Sequence, residues 1–500
     1  MIDAHQQIAA IDLGSNSFHL VVARIGNNQP HMLDTIKEMV RLAAGLDEQN
    51  VLTEDKMQEA LDCLSRFGQR LKDLPQGNVI AAGTNTLRKA KNSAYFLARA
   101  EQALGFPIQI IAGREEARLV YQGVAHSVEQ TEDFRLVIDI GGGSTEFIIG
   151  HSYHPVLTES LGMGCVSFTR KWFADDIINE NNMQLAIIAA RQELEWIAGE
   201  YIKHSWQEVL GSSGTIKTIA SILHENFNAQ GEIDYLNLQK LSRLMIQQGR
   251  IKKLEIEGLS EHRAPVIVGG LCILIGAFEE LKIETMQASE GALREGLLYD
   301  MIDTASGHDI RHDAISSLKD RYQVDKNQAG RIRKVALSFY DQMHLPKDHE
   351  LRDLLQWACD THEVGLSISH SNYPAHGGYI IEQSDLAGFS REMQNTLGLM
   401  LRLQRGKLKF EMIEELPRAH KDIVIVVILL RLSILLVRSR DWDSVSNIEI
   451  MQHEKALSLI FPEDYLETHP LTRADLLQEK KQLEKGGYRL EYEWSTDSLH

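Results

Sequence analysis

Cysteine, proline and aromatic residues are all sparse in this 500-residue chain. Its four cysteines, Cys63, Cys165, Cys272 and Cys359, stand far apart and form no CxxC pair. That excludes a disulfide scaffold and a zinc ribbon, and it fits a reducing compartment. The 10 prolines are scattered and no segment is of low complexity, which excludes collagen-like and Pro-rich disordered classes. Net positive charge is absent: the formal charge is −18. A protein built to coat nucleic acid should be basic, so no nucleic-acid partner is expected. A polyanionic ligand must then be gripped by a local patch or by backbone amides.

Long apolar runs are lacking too. The most apolar stretch, Ile423 to Val437, is shorter than the ~20 residues of a spanning helix and contains Arg431. It reads as a buried core helix. Residues Met1 to Gln7 offer neither a basic nor an apolar targeting region. The expectation is a cytoplasmic protein with no membrane partner. Two nucleotide-binding signatures are also missing. There is no Walker A sequence, and Glu146 stands where a Rossmann fingerprint begun by Gly141 and Gly143 needs its last glycine.

What is present is an ordinary globular composition, 43% hydrophobic and 24% charged, in a length that suggests about three domains. The first third alternates strand-like and helix-like stretches. Ile8 to Ile11 and Leu20 to Ile25 flank a small-residue turn. Thr53 to Leu74 reads as a helix with Thr53 as N-cap. Asn78 to Ala82 is a strand followed by a polar turn from Gly83 to Thr86. Ile108 to Ile111 is a strand, and a helix from Arg114 to His126 follows. A second block repeats the pattern: strand Arg135 to Ile140, returning strand Phe147 to Gly150, helix Asn181 to His204, then Val209 to Leu210 and a turn through Thr215. This βα alternation implies an α/β layer fold. After about Asp303 helical periodicity takes over as far as Ser439, and the tail regains alternation near Tyr488 to Tyr492. A boundary is expected at 303–312, around Thr304, Ser306, Gly307 and His308.

One echo stands out. Ile11-Asp12-Leu13-Gly14-Ser15-Asn16-Ser17 is similar to Ile138-Asp139-Ile140-Gly141-Gly142-Gly143-Ser144. The spacing is too long for a solenoid repeat and suits two similar domains facing each other across a cleft. An Asp at a strand end, then glycines and hydroxyls, suits phosphate and metal: amides form an anion nest and the Asp can orient Mg²⁺. The alternative is a tight hairpin whose glycines only satisfy positive φ. The third Gly-rich stretch, Gly211 to Thr215, favours the phosphate reading.

Glu115 and Glu116 open a helix after Gly113. They are either dipole partners at a helix N-terminus or include a general base for water. Arg88, after a Gly/Thr turn, is either a phosphate fork or a solvated side chain. In the last third, His362-Glu363 with His370 and His376 hints at a metal centre, although no ligand set of standard spacing is complete. Arg402, Arg405, Lys407 and Lys409 form a basic run, with Arg431 and Arg438 beyond it. The choice there lies between a polyanion track and a charged solvated face.

Six stretches, in order, together resemble the Ppx/GppA phosphatase family: Ala10 to His19, Gly83 to Arg88, Gly113 to Arg118, Val137 to Glu146, Gly211 to Thr215 and Gly291 to Gly296. The resemblance implies a pair of actin-like (ribonuclease H-like, ASKHA) α/β domains at 1–125 and 126–305. A mainly α-helical HD-like region at 306–440 and a small α+β domain at 441–500 would follow. It implies release of the terminal phosphate of pppGpp, or of inorganic polyphosphate, with Mg²⁺. By motif position Glu116 would be the base, Asp139 and Glu146 would bind Mg²⁺ or place the water, and Arg88 would hold the scissile phosphate. Asp12, Gly14, Ser15, Asn16, Ser17, Gly141, Gly142, Gly143, Ser144, Ser213, Gly214 and Thr215 would cradle the phosphate. Glu363 stands where an HD site has Asp, and long members of the family resemble homodimers. An actin-like kinase or ATPase and a non-hydrolysing sensor are the other classes these motifs admit.

Overall fold

The computed structural model describes residues 6–26, 29–129, 131–227, 232–305, 309–343, 345, 349–416, 422–438 and 447–494. The chain divides into two compact units, Met1–Asp309 and Ile310–His500. The expected boundary residues Ser306, Gly307 and His308, and the helical limit at Ser439, lie outside the described residues.

The first unit holds two sheets of matching topology. β1 (Gln7–Leu13), β2 (Phe18–Gly26), β3 (Gln29–Glu38), β4 (Val79–Gly83) and β5 (Gln109–Ile110) form the order β3-β2-β1-β4-β5. β6 (Phe134–Ile140), β7 (Thr145–His151), β8 (His154–Leu161), β9 (Glu208–Ser212), β10 (Glu232–Asp234) and β11 (Thr285–Ala288) form β10-β11-β9-β6-β7-β8. Read from β8 inward, the second sheet repeats the first and adds β10 at its edge. In each, an antiparallel meander is followed by parallel strands. This duplication is the arrangement expected of an actin-like pair. β3, β8, β10 and β11 are absent from the sequence reading. They are edge or partly exposed strands with mixed polar patterns, as in the exposure of β3.

The helices are α1 (Glu54–Leu71), α2 (Asn85–Lys89), α3 (Ser93–Leu104), α4 (Gly113–Ala125), α5 (Cys165–Trp172), α6 (Glu180–Lys203), α7 (Ser213–Phe227), α8 (Tyr235–Gln248), α9 (Ala264–Leu281) and α10 (Leu293–Ala305). α1 begins after Thr53 as expected, but the threonine makes no side-chain cap hydrogen bond. The stretch read as a polar turn after Gly83 is partly helical: α2 carries Arg88. α1 and α3 cover one outer face, through Phe67, Phe96 and Leu104. α6, α7 and α9 cover the other. α9 is long and apolar enough to cross a membrane by length and composition, and 78% of it is buried within the fold.

Between the sheets lies a shared apolar layer of α4 and α10. Ile8 and Val21 of one sheet and Val137, Ile148 and Leu210 of the other pack on Val120, Val124, Leu297 and Leu298. The two helices cross with almost no room. A Cβ on Gly296 would overlap the Leu119 carbonyl oxygen, and one on Gly123 would overlap that of Ala292.

The second unit is helical, then mixed. Its helices are α11 (Ile310–Arg321), α12 (Lys326–Gln342), α13 (His349–Thr361), α14 (Tyr373–Gln383), α15 (Arg391–Leu403), α16 (Phe410–Glu414) and α17 (Ile423–Leu436). β12 (Glu449–His453), β13 (Ala456–Phe461), α18 (Tyr465–Thr468), α19 (Pro470–Leu483) and β14 (Arg489–Trp494) complete it. α17 is the buried core helix read from sequence, with Ile425 to Leu430 inside one continuous apolar core.

The tight crossing sets a test. Gly296→Ala forces α4 and α10 apart at fixed backbone, so it should destabilise the first unit by about 1–3 kcal/mol. Urea denaturation followed by intrinsic fluorescence measures it; an unchanged midpoint would show that the crossing has slack.

Candidate active site

Each sheet ends its first strand on an aspartate at the same register. Asp12 on β1 lies opposite His19 on β2 and Ala82 on β4. Asp139 on β6 lies opposite Glu146 on β7 and Ser212 on β9. Both aspartates face one cavity of about 340 Å³. Its walls include Gly14, Ser15, Asn16, Ser17, Glu116, Gly141, Gly142, Gly143, Ser144, Ser213, Gly214 and Thr215. The sequence-expected residues are therefore brought together, apart from Arg88 and Glu146, which do not line it.

The two hairpin turns meet. A Cβ on Gly142 would stand 2.9 Å from that of Ser15, and one on Gly143 would stand 2.5 Å from Asn85 Oδ1. Neither glycine has positive φ. Glycine is required here by close approach across the cleft, not by turn geometry. Thr86 Oγ1 donates to Ser15 Oγ at 2.8 Å, and Ser213 Oγ donates to the Ile140 carbonyl at 2.9 Å. Ser213 itself adopts φ of 83°, a left-handed conformation costing roughly 1–3 kcal/mol outside glycine, at the strand-to-helix junction beside the cavity.

The adjacent carboxylates at the start of α4 separate. Glu115 turns inward to a fork on Arg118, with Nε and Nη2 at 2.9 and 2.7 Å, and Arg118 also reaches Asp300 on α10 at 2.6 Å. Glu116 turns to the cavity. Its Oε2 accepts from Arg88 Nη1 at 2.8 Å, and the same nitrogen donates to the Ile111 carbonyl at 2.9 Å. Arg88 thus holds Glu116 in this structure and is off the cavity wall where a phosphate fork would stand. Glu146, fully buried, accepts from Ser160 Oγ at 2.7 Å.

Burial drives the electrostatics. Desolvation, followed by the charges of Glu116 and Asp139, pushes Asp12 up to about 8. Desolvation and Glu116 push Asp139 to about 7, and Glu146 is raised well above its ordinary value by the same causes. The sequence reading missed the opposite charge. His19, Lys37, Lys217, Arg263 and Arg294 line the same cavity. Arg294 Nη1 donates to His19 Nδ1 at 2.8 Å, which leaves His19 Nε2 to donate to Ser17 Oγ at 2.8 Å. The ring is therefore neutral, and burial and Arg294 hold its pKa down at about 3. Lys37 and Arg263 have no acidic partner among the described residues, and burial lowers both. Arg263 packs over Gly214, leaving no room for a side chain there. Arg294 was inside a quoted motif. Lys37 and Arg263 gave no local signal, because a strand edge and a helix N-cap bring them in from afar.

The donor set fits a hard divalent cation. Asp12 Oδ1 is buried without a hydrogen-bond partner among the described residues, and the carboxylates raise one another's proton affinity. Among the described residues no group of three or more His, Cys, Asp or Glu stands ready-made for a metal. Mg²⁺ needs only one or two carboxylates when phosphate and water complete its shell.

The C-terminal candidates are redistributed. His362 and Glu363 sit in a turn after α13, not on a helix, and His376 on α14 lies apart from the cavity that His362, Glu363 and His370 line. The basic run is not one track. Arg402 is committed to Glu382 at 3.0 and 2.5 Å, Arg431 is buried against Glu479, and Arg438 pairs with Asp475 at 2.9 Å.

The model of the Ppx/GppA phosphatase family matches residues 21–305, and that of Ppx/GppA phosphatase domain III matches 310–480. Among solved structures, the chain is similar to an exopolyphosphatase from Cytophaga hutchinsonii, at 27% identity and a TM-score of 0.55, over 60% of this chain and 98% of that one. It is also similar to the Aquifex aeolicus Ppx/GppA family member, at 25% identity and a TM-score of 0.51, with the same coverage.

A folded-state pKa raised from 3.8 to about 8 means that Asp12 costs no stability in acid, and that the cost grows as pH climbs between those values. Asp12→Asn should therefore stabilise the metal-free protein, by a margin that widens with pH by up to about 1.4 kcal/mol per unit. Thermal denaturation in chelator across that range checks it; a margin that shrinks with pH would contradict the carboxylate repulsion.

Proposed function

Because the chain belongs to the Ppx/GppA phosphatase family, we propose that it hydrolyses a phosphoanhydride, removing the terminal phosphate of pppGpp to leave ppGpp. The observation that carries this reading is Glu116, held by Arg88 in a cavity shared by two Asp-ended hairpins and four cationic side chains. Glu116 takes a proton from water, and the water oxygen bonds to the terminal phosphorus. The bridging P–O bond breaks, and the leaving phosphate departs with the electron pair. Phosphoryl transfer asks chiefly for positioning and charge stabilisation, and Lys37, Lys217, Arg263 and Arg294 offset the charge on the leaving group. Amides and hydroxyls of 14–17, 141–144 and 213–215 orient the transferred group. Asp12 and Asp139, which line the cavity, would hold Mg²⁺, with Glu146 opposite Asp139 on β7; the ion would supply positive charge against the phosphate oxygens. The similarity to an exopolyphosphatase supports the second reading, long-chain polyphosphate as main substrate.

Phosphate release from pppGpp and from long-chain polyphosphate, side by side with and without Mg²⁺, separates the two. We expect a higher kcat/KM for pppGpp. Glu116→Gln should lower kcat by roughly 10²–10⁴-fold with fold and binding retained. An unchanged rate removes Glu116 as the base.

A further inference from the structure

The C-terminal unit holds a second polar cavity, of about 460 Å³, within the range of ligand sites. It gathers residues that the sequence singled out and that the cleft chemistry leaves unused: His362, Glu363, His370, Arg405, Arg431 and Arg438.

The cavity is built on a rigid base. Arg431, 3% exposed, places Nε and Nη2 on the Glu479 carboxylate at 2.6 and 2.8 Å. Its remaining donors go to the Leu403 carbonyl and, at 2.8 Å, to that of Gly406. Four of the five guanidinium N–H donors are thus engaged. The guanidinium ties α17, the end of α15 and α19 together, and so fixes the cavity before any ligand arrives.

The deep wall is rich in acceptors. Gln404, 2% exposed, gives its Nε2 to the His362 carbonyl at 3.0 Å, while its buried Oε1 has no hydrogen-bond partner among the described residues. An orphaned buried acceptor is unfavourable, and a ligand N–H donor relieves it. Glu363 stands beside it in the chain's turn, with one carboxylate oxygen 3.7 Å from His362 Nε2. His362 Nδ1 contacts the Cys359 carbonyl at 2.8 Å, so that nitrogen carries the proton. The lining also carries two exposed arginines. Arg405 is exposed, and Arg438 is 57% exposed while paired with Asp475. The lining also has an apolar part: Ile332, Leu366, Ile434 and Leu435.

We propose that this cavity binds a nucleoside monophosphate. A phosphate meets Arg405 and Arg438, a planar base lies against the aliphatic wall, and an exocyclic amino group donates to Gln404 Oε1 and the Glu363 carboxylate. A bare anion leaves the acceptors and the apolar wall unused. A ligand of amino-acid size underfills the cavity. The inference is independent of the cleft chemistry.

Titration calorimetry of the full chain at physiological ionic strength, with AMP and GMP as probes and inorganic phosphate as control, tests it. Saturable binding of at least one nucleotide is expected, with inorganic phosphate binding far more weakly. Arg405→Glu, an exposed substitution, should weaken it roughly tenfold or more. Gln404→Leu should weaken it several-fold, and Arg263→Ala in the other unit should leave it unchanged. Three outcomes would overturn the proposal. One is no nucleotide binding below about 1 mM. A second is affinity equal to that for inorganic phosphate. The third is binding that survives Arg405→Glu but is lost in Arg263→Ala.

Discussion

A carboxylate taken out of water needs a proton, a cation or a set of N–H donors, and the cleft gathers Asp12, Glu116, Asp139 and Glu146 with few of these supplied. Repulsion among them tends to drive the two hairpins apart. Among the described residues only Glu116 has a cation in ion-pair contact, Arg88. The site persists because the surrounding structure over-determines it. The α4–α10 layer packs both sheets, and each fully buried Leu, Val or Phe contributes about 1.5–3 kcal/mol, so a few such side chains offset one raised carboxylate. The Glu115–Arg118–Asp300 network fixes how α4 lies on α10. With α4 fixed, Glu116 is fixed. The glycine turns interlock because they carry no side chains to hold them apart. A ligand that brings positive charge, or replaces water around these groups with oriented donors, is bound by relieving a strain that packing imposed.

Duplication explains the geometry and its inequality explains the chemistry. Matched registers put Asp12 and Asp139 at equivalent places, but the cross-strand partner is His19 in one half and Glu146 in the other. The first half, with His19 tied to Arg294, adjoins the cationic side chains. The second half sets a second carboxylate, Glu146, opposite its aspartate. One fold used twice thus yields a site with two poles, suited to a substrate whose reacting end needs metal and base while its departing end needs positive charge.

Local pattern carried much of this into the sequence. The hairpins, α4 and α6 were legible because their periodicity is their own. The Asp-ended turns were legible because they occur twice. What stayed hidden depends on partners far along the chain. Glu115 and Glu116 are indistinguishable on a helical wheel, and only Arg118 and Arg88 assign one to structure and the other to the cleft. Arg88 read as a phosphate fork because its carboxylate partner lies 28 positions away. Lys37 sits on an exposed meander strand and Arg263 before a mostly apolar helix, so neither advertises a cleft. The C-terminal basic run misled for the same reason: Arg402 and Arg431 each have an acid 20 and 48 positions distant.

Those distant pairings bear on what the protein attracts. With a net charge of −18 the chain repels a polyanion at long range, but salt confines that field to about 8 Å at physiological ionic strength. Capture is therefore decided by the charges that line each cavity, not by the total. In the C-terminal unit nearly every arginine of interest already has a carboxylate, so a long anion passing over that surface meets neutralised pairs. In the cleft, Lys37 and Arg263 are cationic, partly desolvated and without acidic partners among the described residues. A phosphate group arriving there meets charges whose cost of burial is already met by the fold. The chain can thus be acidic overall and still present a cationic lining to a phosphate group in this cavity.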